Sequence, residues 1–251
     1  MSGKVVLPNQ WQKLKQFTKA RVALGNVGTG LPLNEVLALK HAHALAKDAI
    51  VTQLDVDGLQ NKSERLSIPC QIFKSKVQDR LEYLKRPDLG RRLDVNLEHL
   101  ATEKVDILFV ITDGLSATAV NKYAFGVLDM VIPEITEKYK VAIALVEQGR
   151  VAVGDEVAER YEADFVAVLI GERPGLSSPE SMGIYTTYQP KLGLTDERRN
   201  CISNIHADGL SANQGSTLLK YLIDRSFALQ LSGVGLKIEV GEILENRTKN
   251  E

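Results

Sequence analysis

Beyond about residue 100 the chain gathers its apolar residues into short unbroken blocks: DILFVIT at Asp106 to Thr112, VAIALV at Val141 to Val146 and FVAVLI at Phe165 to Ile170. A strand with one face in water alternates apolar and polar residues, so unbroken runs of strand length describe strands covered on both faces. Helical segments lie between them, from Ala117 to about Lys138 with a break expected at Pro133, and from about Asp155 to Tyr161. The alternation predicts a parallel, right-handed βαβαβ core. Weaker strands are expected at about Ile184 to Tyr188 and near Cys201 to Ile205, then an amphipathic helix from about Ser216 to Leu231.

Before residue 86 the period is helical. Trp11, Leu14, Phe17 and Val22 recur at helical intervals among lysines and glutamines, and the glycine-rich GNVGTG at Gly25 to Gly30 ends that stripe. The segment from Asn34 to Leu54 is apolar on more than one face, which reads as a buried central helix. A further helix is expected from Cys70 to Leu84, stopped by Lys85-Arg86-Pro87. The expected fold class is α/β. Residues 1–85 form a helical N-terminal domain, and residues 86–251 a Rossmann-like, mostly parallel three-layer α/β/α domain.

Composition narrows the partners. With 251 residues, 44% hydrophobic and 25% charged, the chain can bury a substantial core. Its 31 Lys and Arg almost balance 32 Asp and Glu, so no net field would hold it on nucleic acid or an anionic membrane. No apolar run approaches the roughly 20 residues of a membrane span. The start, MSGKVVLPNQWQ, lacks the apolar core of a secretion signal, so a cytosolic protein is expected. Cys70 and Cys201 have neither CxxC nor Cys/His metal spacing and are expected as free thiols.

Candidate chemistry collects in the loops that follow the strands. The first strand delivers Asp113-Gly114-Leu115-Ser116, the second Gln148-Gly149-Arg150-Val151, the third Gly171-Glu172-Arg173-Pro174, and the last segment Ser203, Asn204 and His206. In a parallel sheet these loops share one rim, where α/β proteins bind ligands. Each residue also has a plain structural role open to it. Asp113 suits helix-cap duty beside Ser116 better than catalysis, because no second carboxylate has fitting spacing. His41 and His43, two residues apart on a helix, face different sides and do not form a metal pair. Cys201 follows Arg198-Arg199, which would favour a thiolate, yet a small buried thiol is the commoner role. GNVGTG lacks the Lys-Ser/Thr of a phosphate loop and reads as a turn between helices. RPDLGRR at Arg86 to Arg92 fits an anion site and a set of ion pairs equally well.

Taken together, RPDLGRR, the strand carrying ITDGLS, GERPGL at Gly171 to Leu176, and CISNIH at Cys201 to His206 resemble the small-subunit family of ethanolamine ammonia-lyase, in the same order and approximate spacing. ARVALG from Ala20 looks like an early motif of that family, and the resemblance covers about residues 20 to 230. It implies a chain that works with a large, barrel-shaped catalytic subunit in an adenosylcobalamin-dependent lyase, converting ethanolamine to acetaldehyde and ammonia by radical chemistry. The small subunit closes the cobalamin site at the interface, usually with six copies of each subunit. Val151, Glu172 and Cys201 match the family's cofactor-contact positions, and no catalytic residue or metal ligand is implied in this chain. The implied location is cytoplasmic, with encapsulation in a bacterial microcompartment left open. No histidine has the DxHxxG context of cobalamin proteins that replace the lower base on cobalt. A Rossmann dinucleotide oxidoreductase is the rival enzyme class, but DGLSATA after the first strand has one glycine where GxGxxG needs three. A third reading is a structural adaptor whose rim binds only protein.

Overall fold

The computed structural model describes residues 11–94 and 103–237. Among them, six strands form one sheet in the order β1-β3-β2-β4-β5-β6: β1 (Cys70–Lys74), β2 (Ile107–Thr112), β3 (Val141–Glu147), β4 (Phe165–Gly171), β5 (Met182–Tyr188) and β6 (Asn200–Ile205). The first four positions are parallel, β5 runs antiparallel to β4, and β6 antiparallel to β5. The carboxyl ends of β1, β2, β3, β4 and β6 therefore lie on one rim, together with the start of β5.

The apolar blocks are strands because both of their faces are covered. Every residue of β2 and β4 is buried. On one face Ile107, Phe109 and Ile111 join Ile143, Phe165 and Leu169 under α2 (Val56–Arg65), α4 (Ala117–Ile135) and α6 (Ala212–Leu229). On the other face Leu108, Val110, Ala144 and Val168 pack under α5 (Val153–Arg160). The chain leaves β2 for α4 on one face and leaves β3 for α5 on the opposite face. The loops after these two neighbouring strands diverge, and a crevice opens between them.

Three expectations about the first part of the chain are corrected. Cys70 to Leu84 is not one helix: it holds β1, paired to β3, and then the short α3 (Arg80–Lys85). The segment from Asn34 to Leu54 is helical as α1 (Leu33–Val51), but it is not buried. Only Ala46 and Ala49 are buried, while Leu33, Leu37, Leu39, Leu45 and Val51 are exposed, because α1 packs on the outside of α4 and nothing among the described residues covers its far side. The stripe through residues 8 to 24 forms a single 3-10 helical turn, Gln12–Gln16, with the first of those residues outside the described range. α4 also runs through Pro133 to Ile135, so the expected break is only the end of its last turn.

Candidate functional site

The rim is built by backbone contacts between the loops. Gly149 N–H donates to Thr112 Oγ1 at 2.9 Å, Leu115 N–H to Gly171 O at 2.9 Å, and Arg150 N–H to Gly90 O at 2.7 Å. The last bond brings RPDLGRR to the rim. Gly171 has no space for a side chain, since a Cβ would run into the Ser116 and Asp113 carbonyls. Gly114, at φ 54°, lies as tightly against Gly171 O in a conformation that suits glycine. The loops after β2 and β4 are thus locked to each other.

Between them and the loop after β3 lies an open cleft of about 420 Å³, lined by Tyr83, Leu115, Arg150, Val151, Glu172 and Tyr185 among others. Glu172 leaves the end of β4 and accepts hydrogen bonds from Ser181 Oγ at 2.5 Å and from Asn204 N–H at 3.3 Å. Its carboxylate therefore ties β4 to the end of β6. Arg150 stacks on the Tyr83 ring at 4.1 Å and donates to Tyr83 O at 3.0 Å, leaving its buried Nε without a partner. Tyr83 in turn donates its hydroxyl to Gly149 O at 3.0 Å. A second cleft, of about 320 Å³, opens beside β1 and is lined by residues including Thr52, Lys74, Arg80, Asp113 and Gln148.

The structure brings Val151 and Glu172 into the same cleft. Cys201 sits beside them. It is the second residue of the edge strand β6, exposed, opposite Tyr185 in the ladder and hydrogen-bonded with the Tyr185 side chain. Although the residue is exposed, the protein around the thiol displaces enough water to push its pKa up, and the hydrogen bond from Tyr185 only partly offsets this. The arginines before it do not favour a thiolate, because Arg199 turns away into a fully buried pair with Asp155, with Nη1 to Oδ1 at 2.8 Å and Nη2 to Oδ2 at 2.6 Å. Cys201 thus presents a neutral thiol, suited to contact by shape and polarity.

Asp113 does not serve as a helix cap. It is buried, paired with Arg80 at 3.2 Å, and pushed up to about 6 by burial, with Arg80 drawing it back. Ser116 stands at the N-cap of α4, but its hydroxyl donates to Pro179 O at 3.1 Å. RPDLGRR supplies ion pairs: Arg86 with Asp88 at 2.7 Å and Arg92 with Glu156 at 3.0 Å. His41 and His43 are exposed on α1, and no group of three or more His, Cys, Asp or Glu among the described residues is placed to hold a metal ion. His99 lies outside the described residues.

Sequence reasoning missed Tyr83, Tyr185 and the Asp155–Arg199 pair. Tyr185 carried a weak signal, as an aromatic residue within the expected strand at Ile184 to Tyr188, but its place opposite Cys201 comes from the ladder. The pair carried none, its members being 44 residues apart.

The model of the ethanolamine ammonia-lyase light chain matches residues 8–237. The chain belongs to the ethanolamine ammonia-lyase light-chain family. Its relatives include the ethanolamine ammonia-lyase small subunit of Ralstonia nicotianae, 45% identical over 95% of this chain and 91% of the relative. The Azotobacter vinelandii small subunit is 44% identical over 92% of this chain and 89% of its own length. That of Pseudomonas fluorescens SBW25 is also 44% identical, over 92% and 87%. The match to the light-chain family spans both the α1 region and the rim, so the exposed helix and the cleft belong to one family unit.

Proposed function

We propose that this chain is the small subunit of an adenosylcobalamin-dependent ethanolamine ammonia-lyase, which converts ethanolamine to acetaldehyde and ammonia when joined to its large subunit. The observation that carries this reading is the open cleft shared by Val151 and Glu172 with Tyr185 and Cys201 at its side, in a chain of the light-chain family. The donor set suits a cobalamin. The corrin edge carries neutral carboxamides, which donate to a carboxylate such as Glu172 and rest against apolar groups such as Val151 and Leu115. Pockets that enclose a drug-sized molecule run from roughly 300 to 1,000 Å³. A cleft of about 420 Å³, open to one side, offers a cofactor this large a single wall. The large subunit is the natural source of the other.

Bound adenosylcobalamin supplies the radical chemistry of the reaction. This chain contributes binding and exclusion of water. Glu172 accepts from the cofactor's amide or ribose donors, its direction set by Ser181 and Asn204. Val151 and Cys201 add shape, with Cys201 held by Tyr185. No residue of this chain is given a role on the reacting atoms. The outward leucines of α1 offer the large subunit an apolar docking surface, since several large apolar side chains exposed together on one helix are the kind of surface that partners cover. Six copies of each subunit and a cytoplasmic location, with a microcompartment as an alternative, complete the reading.

The test is reconstitution. The chain, its large subunit, adenosylcobalamin and ethanolamine are combined, and acetaldehyde is measured while each component is omitted in turn. Product only with everything present is expected. A large subunit equally active without this chain would refute the reading.

A further inference from the structure

Outside the groups already assigned, the most completely buried charges are those of Asp155 and Arg199, each with its side chain 1% exposed. Neither lines the cleft, but each stands next to a segment that does. Asp155 lies in the first turn of α5, four residues after Val151. That turn is one hydrogen-bonded piece, with Val153, Gly154 and Asp155 N–H donating to the Arg150, Val151 and Ala152 carbonyls. Arg199 immediately precedes β6 and lies two residues before Cys201. Gly154 presses α5 onto β4, where a Cβ would run into Val168. β6, by contrast, is an edge strand with β5 as its one ladder partner, tied besides through Asn200 to Gly233 and Leu236 and through Asn204 to Glu172. Between the segments that carry Val151 and Cys201, the ion pair is the direct side-chain link, whereas the other connections run through β4 and β5.

The guanidinium is fully committed. Besides its two bonds to Asp155, Nη1 donates to Thr187 Oγ1 at 3.0 Å, Nη2 to Leu194 O at 3.3 Å, and Nε reaches Asp196 at 3.4 Å. A planar fork with every face engaged fixes orientation as well as distance. A buried pair of this kind adds little net stability over an apolar pair of the same volume, so its distinctive effect is directional. We infer that Asp155 and Arg199 are positioning residues that set the edge strand β6 against the first turn of α5, and so hold Cys201 and Val151 at the separation the cofactor requires. The inference rests on the cobalamin reading above and goes beyond it, since neither residue touches the cleft.

The experiment measures adenosylcobalamin affinity of the assembled complex by equilibrium dialysis, beside thermal melting and copurification with the large subunit. Three variants are compared: Asp155→Leu combined with Arg199→Met, Arg199→Lys, and Glu172→Gln. The apolar double variant keeps volume and removes the fork. It is expected to melt and assemble as the parent does and to bind adenosylcobalamin at least tenfold more weakly. Arg199→Lys keeps the charge without bidentate geometry and is expected to weaken binding about threefold to tenfold. Parental affinity in the apolar variant, with weakened binding in Glu172→Gln, overturns the positioning role alone. Parental affinity in both overturns the cofactor reading as well. If the apolar variant does not assemble, Arg199→Lys decides: weakened binding supports positioning, and parental affinity ends it.

Discussion

Glu172 is held by a serine hydroxyl and a backbone N–H while its carboxylate still faces the cleft. Exchanging it for Gln keeps the size and one acceptor oxygen but removes the charge. A hydrogen bond to a charged group contributes about 1.5–3 kcal/mol. Glu172→Gln should therefore raise the cobalamin Kd of the complex about tenfold to a hundredfold while melting shifts little; unchanged affinity removes the residue from the site. Asp113 makes a different prediction. Its carboxyl is raised to about 6 in the fold and lies near 3.9 in the unfolded chain, so between roughly pH 4 and 6 the folded state keeps a proton that the unfolded state has lost. Stability should fall as pH rises through that window, by on the order of 2–3 kcal/mol, and level off above it. Asp113→Asn cannot titrate. Denaturant melts of the two chains from pH 4 to 7 should diverge in the variant's favour, and parallel curves would show that the buried carboxyl does not set the slope.

At the scale of elements, α1 and β1 departed from expectation for related reasons. Phe73, Val77, Leu81 and Leu84 fall at spacings of four, four and three, which mimics one helical stripe. In the fold they divide between a five-residue edge strand, a connecting loop and a short helix, with Leu81 and Leu84 exposed. A strand this short, half-buried at the sheet edge, leaves no unbroken apolar block to mark it. α1 has the composition of a buried helix, but the described residues cover only one side of it. Its pattern fits the docking face proposed for the large subunit. Leu37→Glu combined with Leu45→Glu should leave the melting of the isolated chain within about 0.5 kcal/mol, because neither side chain is buried in it. The same pair should abolish copurification with the large subunit. Retained copurification would move the docking face elsewhere.

For the whole molecule, the open cleft has one consequence. The isolated chain should bind adenosylcobalamin far more weakly than the complex, by at least a hundredfold, since only one wall is present and water fills the other side. Titration of the single chain and of the complex, followed by cobalamin absorbance, checks this; equal affinities would locate the whole site within this chain.

The sequence by itself determined the central strands, the faces they bury, and the loops that carry chemistry, because unbroken apolar runs and the glycines between them are local signals. DILFVIT, VAIALV and FVAVLI became β2, β3 and β4, and TDGLS and GERPGL met where a parallel sheet must bring them. Motif order also carried the family. Tertiary structure alone decided what each polar group does there. Only in three dimensions does Arg199 reach Asp155 instead of Cys201, Asp113 meet Arg80 instead of capping α4, Tyr185 come beside Cys201, and Tyr83 lie under Arg150. Those outcomes depend on distance and burial between residues far apart in the chain, and side-chain periodicity carries no information about either.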